Sequence, residues 1–330
     1  MRIGFACVVL GIDVRAHDAR RPENGPHLRT SLEYVRRILT YCGEQGIRMY
    51  RLSSNIAPYY TDPKRPQFGN QLAEARDDLA LTGALARELD IRLSSHPGQY
   101  TVLNSPTPAI RAAAVRELHY HADVLDMMGL PPPAKMILHV GGVYGDKPAA
   151  IARFIAAYQE LPDSIRARLV IENDDRLYSV GDTLQVHAAT GVPVVFDNLH
   201  HALNGTPGLD RHAALAACLA TWPAEVTPKT HYSDATTELT VVKVKGKPAR
   251  LQAPRPGAHA DFIDPTAFAA YIQAAADLRD FDVMFEAKAK DQAVLRIMDY
   301  LAQAGIQPPH GLVGGGQGSG IRGQETVVSE

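Results

Sequence analysis

Six residues that can bind divalent metal ions stand at the ends of six strand-like apolar runs. The runs read RLSSH, KMILHV, RLVIEN, VPVVFD, EVTPKTH and FDVMFE, and the residues are His96, His139, Glu172, Asp197, His231 and Glu286. Imidazole nitrogens and carboxylate oxygens are ligands for such ions. A single polar residue at a strand end is more often a hydrogen-bonded structural group. Six together predict a polynuclear metal site, because burying so many ionisable groups without metal costs on the order of several kcal/mol each.

Strand-like and helix-like segments alternate along the chain, and we count eight of each. The strands are predicted near residues 2–9, 47–53, 91–96, 135–140, 168–173, 192–197, 225–231 and 281–286. The helix-like segments carry apolar residues three and four positions apart. The first of them shows this spacing and then two glycines that mark its end, at Leu28, Leu32, Val35, Leu39, Gly43 and Gly46.

This alternation predicts a single-domain α/β protein of the TIM (β/α)8 barrel class. Such barrels carry their reactive residues on the loops after the C-terminal strand ends, which is where the six candidate ligands stand. An open, doubly wound sheet is the alternative, but it would gather its ligands at one switch point. We expect the barrel to span residues 1–305 and residues 306–330 to form a disordered tail, because residues 311–330 are rich in glycine without an apolar period.

The bulk composition limits the possible partners. The chain has 330 residues and a formal net charge of −2, which predicts no bulk attraction to nucleic acid or to acidic membranes. A polyanion would therefore be held locally, by metal ions and a few basic side chains. The 3 cysteines include no C-x-x-C pair, which favours reduced thiols and a cytoplasmic protein. No run approaches the roughly 20 apolar residues that a membrane helix needs.

Five further motifs surround the candidate ligands: SSHPGQY at 94–100, ILHVGG at 137–142, VIEND at 170–174, FDNLHH at 196–201 and KTHYSDA at 229–235. Together they resemble those of the UV damage endonucleases, metal-dependent DNA repair enzymes related in fold to endonuclease IV. The likeness covers roughly residues 1–305. It implies a monomeric TIM-barrel endonuclease that acts on damaged double-stranded DNA without a nucleotide cofactor. The enzyme would cleave on the 5′ side of a photoproduct and leave a 3′-hydroxyl and a 5′-phosphate.

The resemblance also implies a set of up to three divalent ions, with Mn²⁺ expected first and Zn²⁺, Co²⁺ or Mg²⁺ as alternatives. In the family pattern Glu172 bridges, His96 and His139 join it on one metal, a second metal takes Asp197, His231 and Glu286, and a third takes His200 and His259. Clustered ions of this kind can activate water, bind phosphate oxygens and neutralise the leaving oxygen. Glu172, Lys229 and His231 are the expected catalytic residues.

Lys229 stands two residues before His231 on one strand, so both side chains should point into the barrel. A bare ammonium there would repel metal ions. In the family this lysine is carboxylated, which would convert it into an anionic ligand. The alternatives are a neutral lysine with a depressed pKa or a lysine paired with a carboxylate.

Gln99 and Tyr100 correspond to the pair that probes the lesion in the family. A ring that enters a base stack gains about 1–3 kcal/mol, and a distorted photoproduct has already lowered the cost of unstacking. The alternative is a Tyr100 that packs on its own loop. After the first strand the family usually has Tyr and, four residues later, Asn; this chain has Phe5 and Val9. Phe5 keeps the ring as a lesion contact, and the lesion spectrum can differ.

Phosphate contacts are expected from the basic segment 241–256, in which Lys243 and Lys245 alternate with valines before a Gly-Lys-Pro turn. This pattern predicts a projecting hairpin, and an ordinary solvated surface is the alternative. Asn55 exits the second strand, with Arg51 close by. These residues could bind phosphate or cap the next segment.

Three other functions remain open from the sequence. A sugar isomerase or epimerase of the xylose isomerase type also uses metal-binding His, Glu and Asp in a barrel, but it leaves HPGQY unexplained. An endonuclease for abasic sites would share the barrel and the metals. A non-catalytic DNA-binding protein would explain the basic segment but not the polar ring.

Overall fold

The computed structural model describes residues 1–242, 248, 250–307 and 311. Its centre is a barrel of eight parallel strands, as the alternation predicts. The strands are β1 Ile3–Ala6, β2 Met49–Arg51, β3 Arg92–Ser94, β4 Met136–His139, β5 Leu169–Glu172, β6 Val194–Val195, β7 Lys229–Tyr232 and β10 Asp282–Phe285. Seven of these lie inside the predicted ranges, and β7 runs one residue beyond its range.

Two arcs of strands make up the barrel. The larger arc has five strands in the order β3, β2, β1, β10, β7, and the smaller has three in the order β4, β5, β6. A bridge between Ser95 and Met136 joins the arcs at one seam, and a bridge between Asp197 and His231 joins them at the other. The backbone hydrogen bond from His231 to Phe196, at 2.8 Å, lies at the second seam. The barrel is therefore closed, but the backbone pairing at each seam is a single bridge, shorter than the pairing between neighbouring strands within an arc.

Eleven α-helices surround the barrel in the part of the chain that the structure describes, and not the eight that were predicted. They are α1 Leu28–Glu44, α2 Gln71–Glu74, α3 Arg76–Glu88, α4 Pro108–Met127, α5 Lys147–Gln159, α6 Asp163–Arg168, α7 Val180–Thr190, α8 Asn198–Leu203, α9 Arg211–Ala220, α10 Pro265–Ala274 and α11 Lys290–Gln303. The excess arises because β2, β4 and β6 are each followed by two helices. Pro162 caps α6 and explains one interruption, since proline cannot continue the helix before it.

The first helix shows how the sequence pattern sets the packing. All four apolar residues that predicted it are buried against the barrel. His27 caps its start by accepting a hydrogen bond from the backbone of Arg29, at 3.1 Å. The helix ends at Glu44, and Gly46 follows with a φ of +73° that favours glycine. Gly43 lies in the last turn.

The barrel interior is filled by side chains that alternate with those facing the helices. Gly4 lies close beside Met49 on the neighbouring strand: a Cβ atom on Gly4 would lie 2.0 Å from the Met49 carbonyl oxygen. At the N-terminal end of the barrel, Arg92 donates to Asp282 at 2.8 Å. The metal-binding residue types lie at the other end.

Two further strands, β8 Thr240–Val242 and β9 Arg250–Gln252, form an antiparallel hairpin between β7 and α10. This confirms the predicted hairpin. Lys243 and Lys245 lie outside the described residues, as do residues 308–310 and 312–330 of the predicted tail. Among the helices that the structure describes, none is long and apolar enough to cross a membrane.

Candidate metal centre

The six predicted ligands meet at the C-terminal mouth of the barrel. His139 and Glu172 are in register as the last residues of β4 and β5. Asp197 and His231 face each other across the second seam. Glu172, Asp197 and His231 are buried, with relative exposures of 1%, 0% and 0%. The strand-end positions therefore converge on one buried cluster.

Three groups of ligand atoms each lie within 4.8 Å of one another. They are His96, His139 and Glu172; Glu172, Asp197 and His200; and Asp197, His231 and Glu286. The first and third match two of the predicted metal sets. The remaining predicted set is arranged differently: His200 clusters with Glu172 and Asp197, whereas Nε2 of His259 lies 3.9 Å from Oε2 of Glu286.

Glu172 is the central carboxylate. Its Oε2 lies 3.4 Å from Nε2 of His96 and 3.8 Å from Nε2 of His139. Its Oε1 lies 2.9 Å from Nδ1 of His231 and 3.3 Å from Nδ1 of His200. Burial works against its ionisation, but His231 and His139 outweigh burial and hold the pKa of Glu172 well below its ordinary value. A carboxylate with imidazoles on both oxygens suits a bridging ligand.

The remaining charges in the cluster depend on burial and neighbours. Burial raises the pKa of Asp197 to about 7 and lowers the pKa of His231 to about 4. Burial also lowers the pKa of His96. Burial disfavours the charged ring of His200, but Asp197, Glu172 and Glu286 together outweigh burial and raise the pKa of His200 to about 10. His96 and His231 are thus neutral near pH 7, which is the form that binds metal.

Local hydrogen bonds fix the loop that carries Asp197 and His200. Asp197 caps α8, accepting from the backbone N–H of His200 at 2.8 Å. Nδ1 of His200 lies 2.9 Å from the carbonyl oxygen of Asn173. The Asn173 side chain accepts from the backbone of Asp197 at 2.9 Å. The three-residue spacing of Asp197 and His200 is thus both a helix cap and a means of orienting two ligands.

The cluster passes a direct test of whether it fits metal ions. Both carboxylate oxygens of Glu172, Oδ2 of Asp197 and Nδ1 of His231 are buried and lack a hydrogen-bond partner in the described part of the chain. Buried polar atoms are nearly always satisfied. These atoms converge, so divalent cations are the natural partners for them. The mixture of imidazole and carboxylate suits Mn, Fe, Co or Zn.

Lys229 lies inside the barrel, as its register predicts, and is 1% exposed. Its Nζ donates to Oγ of Ser94 at 3.0 Å. Burial, reinforced by the charges of Arg51 and Arg92, lowers the pKa of Lys229 well below its ordinary value. The unmodified side chain therefore matches the neutral-lysine alternative, and a neutral amine is also the form that reacts with carbon dioxide.

Arg51 is the cluster member that sequence reasoning missed. It was expected to bind phosphate or to lie near a cap, but its side chain points into the barrel and is 8% exposed. Nη1 lies 2.6 Å from Oε1 of Glu286, and Nη2 lies 2.7 Å from Nε2 of His231. With His231, Arg51 holds the pKa of Glu286 below its ordinary value although burial opposes this. Its position as the last residue of β2, equivalent to the ligand positions on β4 and β5, was the available signal.

The predicted lesion-probing residues lie on the surface beside the cluster. Tyr100 is 84% exposed, so it does not pack on its own loop. Gln99 is also exposed and lines a groove of about 490 Å³ that runs past His96 and His139 to Tyr144. A projecting aromatic side chain thus stands next to a residue that lines the groove beside the cluster.

Of two other predicted DNA contacts, one is exposed and one is buried in the structure. Asn55 is exposed on the loop after β2. Phe5 is fully buried, at 0% exposure, and packs edge-on against Tyr50 with ring centroids 5.4 Å apart. The prediction that Phe5 contacts a lesion is therefore wrong for this conformation, because the odd positions of β1 face the helices. Val9 is also buried.

A closed parallel barrel with convergent imidazoles and carboxylates at its C-terminal mouth defines a TIM-barrel protein with a candidate metal site. The family model described as UV-endonuclease UvdE matches residues 27–312. The chain is 34% identical over 276 residues to a UV DNA damage endonuclease of Bacillus velezensis, covering 83% of this chain and 81% of that protein. It is 30% identical to one of Clostridium perfringens, covering 92% and 71%. The chain belongs to the UV-endonuclease UvdE family.

Solved structures agree with this assignment. The crystal structure of SacUVDE superposes with a TM-score of 0.77 at 30% identity, covering 92% of this chain and 99% of that one. A D-psicose 3-epimerase from Clostridium cellulolyticum superposes with a TM-score of 0.57 at 12% identity, covering 92% and 99%. The epimerase likeness reports the barrel fold alone.

Proposed function

We propose that this protein is a DNA repair endonuclease that incises damaged duplex DNA on the 5′ side of UV photoproducts. Water attacks the phosphorus, the bond to the 3′-oxygen breaks, and the products carry a 3′-hydroxyl and a 5′-phosphate. The observation that carries the proposal is the convergence of unpartnered buried oxygens and nitrogens from Glu172, Asp197 and His231 beside a groove with an exposed aromatic. Family membership supplies the substrate class.

We further propose up to three divalent ions, held by His96, His139, Glu172, Asp197, His200, His231, Glu286 and His259, with Lys229 as a carboxylated ligand. When bound, such ions activate water, bind non-bridging phosphate oxygens and neutralise the leaving oxygen. The chain itself keeps His96 and His231 neutral by burial and keeps Glu172 ionised. These protonation states leave the lone pairs available at neutral pH.

Outside the cluster, the surface residues would select damaged DNA. Tyr100 and Gln99 probe the base stack at the lesion, and the groove beside them accepts the distorted strand. Asn55, together with Lys243 and Lys245 of the hairpin segment, supplies polar and basic contacts to the backbone. A monomeric, cytoplasmic protein with a barrel over residues 1–305 and a tail over 306–330 remains the expected form.

The test is incision of a labelled duplex that contains one cyclobutane dimer, in the presence of Mn²⁺, beside an identical undamaged duplex. We expect one nick on the 5′ side of the dimer and none in the control. The 3′-hydroxyl is verified by polymerase extension. Glu172→Gln should abolish the nick, since an amide cannot replace a bridging carboxylate. Cleavage of an abasic duplex but not of the dimer, or sugar epimerisation without nicking, would refute the proposal.

A further inference from the structure

Arg51 places a permanent positive charge inside a cluster that is built for cations. Arginine remains protonated in proteins and offers only hydrogen-bond donors. Its guanidinium contacts Glu286 at 2.6 Å and His231 at 2.7 Å, and both residues belong to one candidate ligand group. Since a fixed cation beside a metal site should weaken metal binding, its position calls for a physical reason.

A buried arginine elsewhere in the barrel shows what a purely structural one looks like. Arg92 donates to Asp282 and to the carbonyl oxygens of Pro133 and Pro228, and its guanidinium lies 6.0 Å from the Trp222 ring. Arg51 has no such backbone anchor among the described residues. Its side-chain hydrogen bonds go to the two cluster residues, and its Nε has no partner there.

The position of the hydrogen on the His231 ring indicates that the contact between Arg51 and His231 belongs to the metal-free protein. Because Arg51 can only donate, Nε2 of His231 must be an acceptor in the observed contact. A neutral imidazole that accepts at Nε2 carries its hydrogen on Nδ1, which faces Glu172 at 2.9 Å. Ligation through Nδ1 requires that lone pair and leaves the hydrogen on Nε2, where it would meet an Arg51 donor.

We propose that Arg51 is a built-in counter-cation of the metal-free cluster: it holds Glu286 and His231 in place until metal ions bind, and it releases His231 when they do. This proposal rests on the metal site of the proposed function but not on the DNA reaction. Arg51 acts through Glu286 and His231 and is therefore a positioning residue. Its charge stabilises the empty cluster and opposes the loaded one.

This role predicts that loss of Arg51 lowers the stability of the metal-free protein but raises its affinity for Mn²⁺. A general structural defect would not raise the affinity. Replacing Arg51 by methionine, which is of similar length but has no charge or donor, should destabilise the metal-free protein. The same change should tighten Mn²⁺ binding by tenfold or more, roughly the factor by which one close charge shifts proton binding. Saturating Mn²⁺ should return the melting temperature of Arg51→Met close to that of the wild type.

The experiment measures Mn²⁺ affinity by calorimetric titration of chelator-treated full-length protein, and melting temperature with and without saturating Mn²⁺. Arg51→Lys keeps the charge and should bind Mn²⁺ within about threefold of wild type. Arg168→Met is the matched control: it removes a largely buried arginine that pairs with Asp126 at 2.7 Å and donates to backbone carbonyl oxygens beside the N-terminal end of β5. It should lower both melting temperatures equally and leave the affinity unchanged.

Unchanged or weaker Mn²⁺ binding by Arg51→Met would overturn the proposal, as would an Arg51→Met protein that stays unfolded in saturating Mn²⁺. An Arg51→Met protein that folds only with Mn²⁺ would support it. Because none of these measurements uses DNA, a failure to nick dimers would leave the result intact and would count against the proposed function alone.

Discussion

The exposed Tyr100 gives a quantitative test of lesion probing. The double substitution Gln99→Ala with Tyr100→Ala removes two side chains that the structure leaves in solvent, Tyr100 being 84% exposed. Exposed positions of this kind change the free energy of unfolding by no more than about 0.5 kcal/mol. In the DNA complex, the lost stacking of one ring is worth about 1–3 kcal/mol. The expected decrease in kcat/KM for a dimer-containing duplex is therefore about 5- to 140-fold.

The assay compares single-turnover incision of the dimer duplex by the double variant and by wild type, together with metal content and melting temperature. Leu81→Ala is the control, since Leu81 is 57% exposed on the outer face of α3. It should leave incision unchanged.

Three outcomes would refute this reasoning. Unchanged incision by the double variant would remove the probing role of the pair. An equal decrease in Leu81→Ala would show that the effect is not specific to the groove. Loss of bound metal in the double variant would place the two residues in support of the cluster rather than on the DNA.

The remaining predictions concern stability. The metal-free protein should lose stability between pH 7 and pH 9, because Asp197, Glu172 and Glu286 together outweigh burial and raise the pKa of His200 to about 10. A group whose pKa is raised by folding stabilises the fold fully below its unfolded pKa, and that stability is lost as the pH rises through the folded pKa. Melting curves at the two pH values should show this slope, and His200→Gln should remove it. Gly4→Ala should lower the free energy of unfolding, measured by denaturant titration, by about 1–3 kcal/mol. The reason is that its Cβ would lie 2.0 Å from the Met49 carbonyl oxygen. Gly98→Ala is the control, because Gly98 has open space around it, and it should leave the free energy of unfolding unchanged. Chelation should lower the melting temperature reversibly, and an unaltered midpoint would argue against resident metal.

The barrel could be predicted because the alternation of strand-like and helix-like segments is repeated along the chain. Six of the eight strands are short apolar runs with a ligand type at or just past their ends, so His139, Glu172 and Asp197 mark both an element and a site. The doubled helices were not visible, because breaks such as the one before Pro162 fall within continuous helix-like composition. The orientation of Phe5 depended on the register of β1, which a one-residue shift reverses.

Arg51 and His259 show the limit of reading residues one at a time. Arginine is ordinarily a surface or phosphate-binding residue, and its burial here is defined by Glu286 and His231, which are 235 and 180 positions away in sequence. The grouping of His200 with Glu172 and Asp197, and not with His259, depends on loop geometry. Such pairings arise only when the barrel closes.

The split of the barrel into two arcs would give bound metal ions a mechanical role. His96 follows the larger arc while His139 and Glu172 end strands of the smaller one, so that ligand group spans the first seam. Asp197 follows the smaller arc while His231 and Glu286 belong to the larger, so that group spans the second. An ion in either of these two groups would thus cross-link two half-barrels that few backbone hydrogen bonds connect. Removing the ions should let the two half-barrels move relative to each other, and amide hydrogen exchange should become faster first at the two seams.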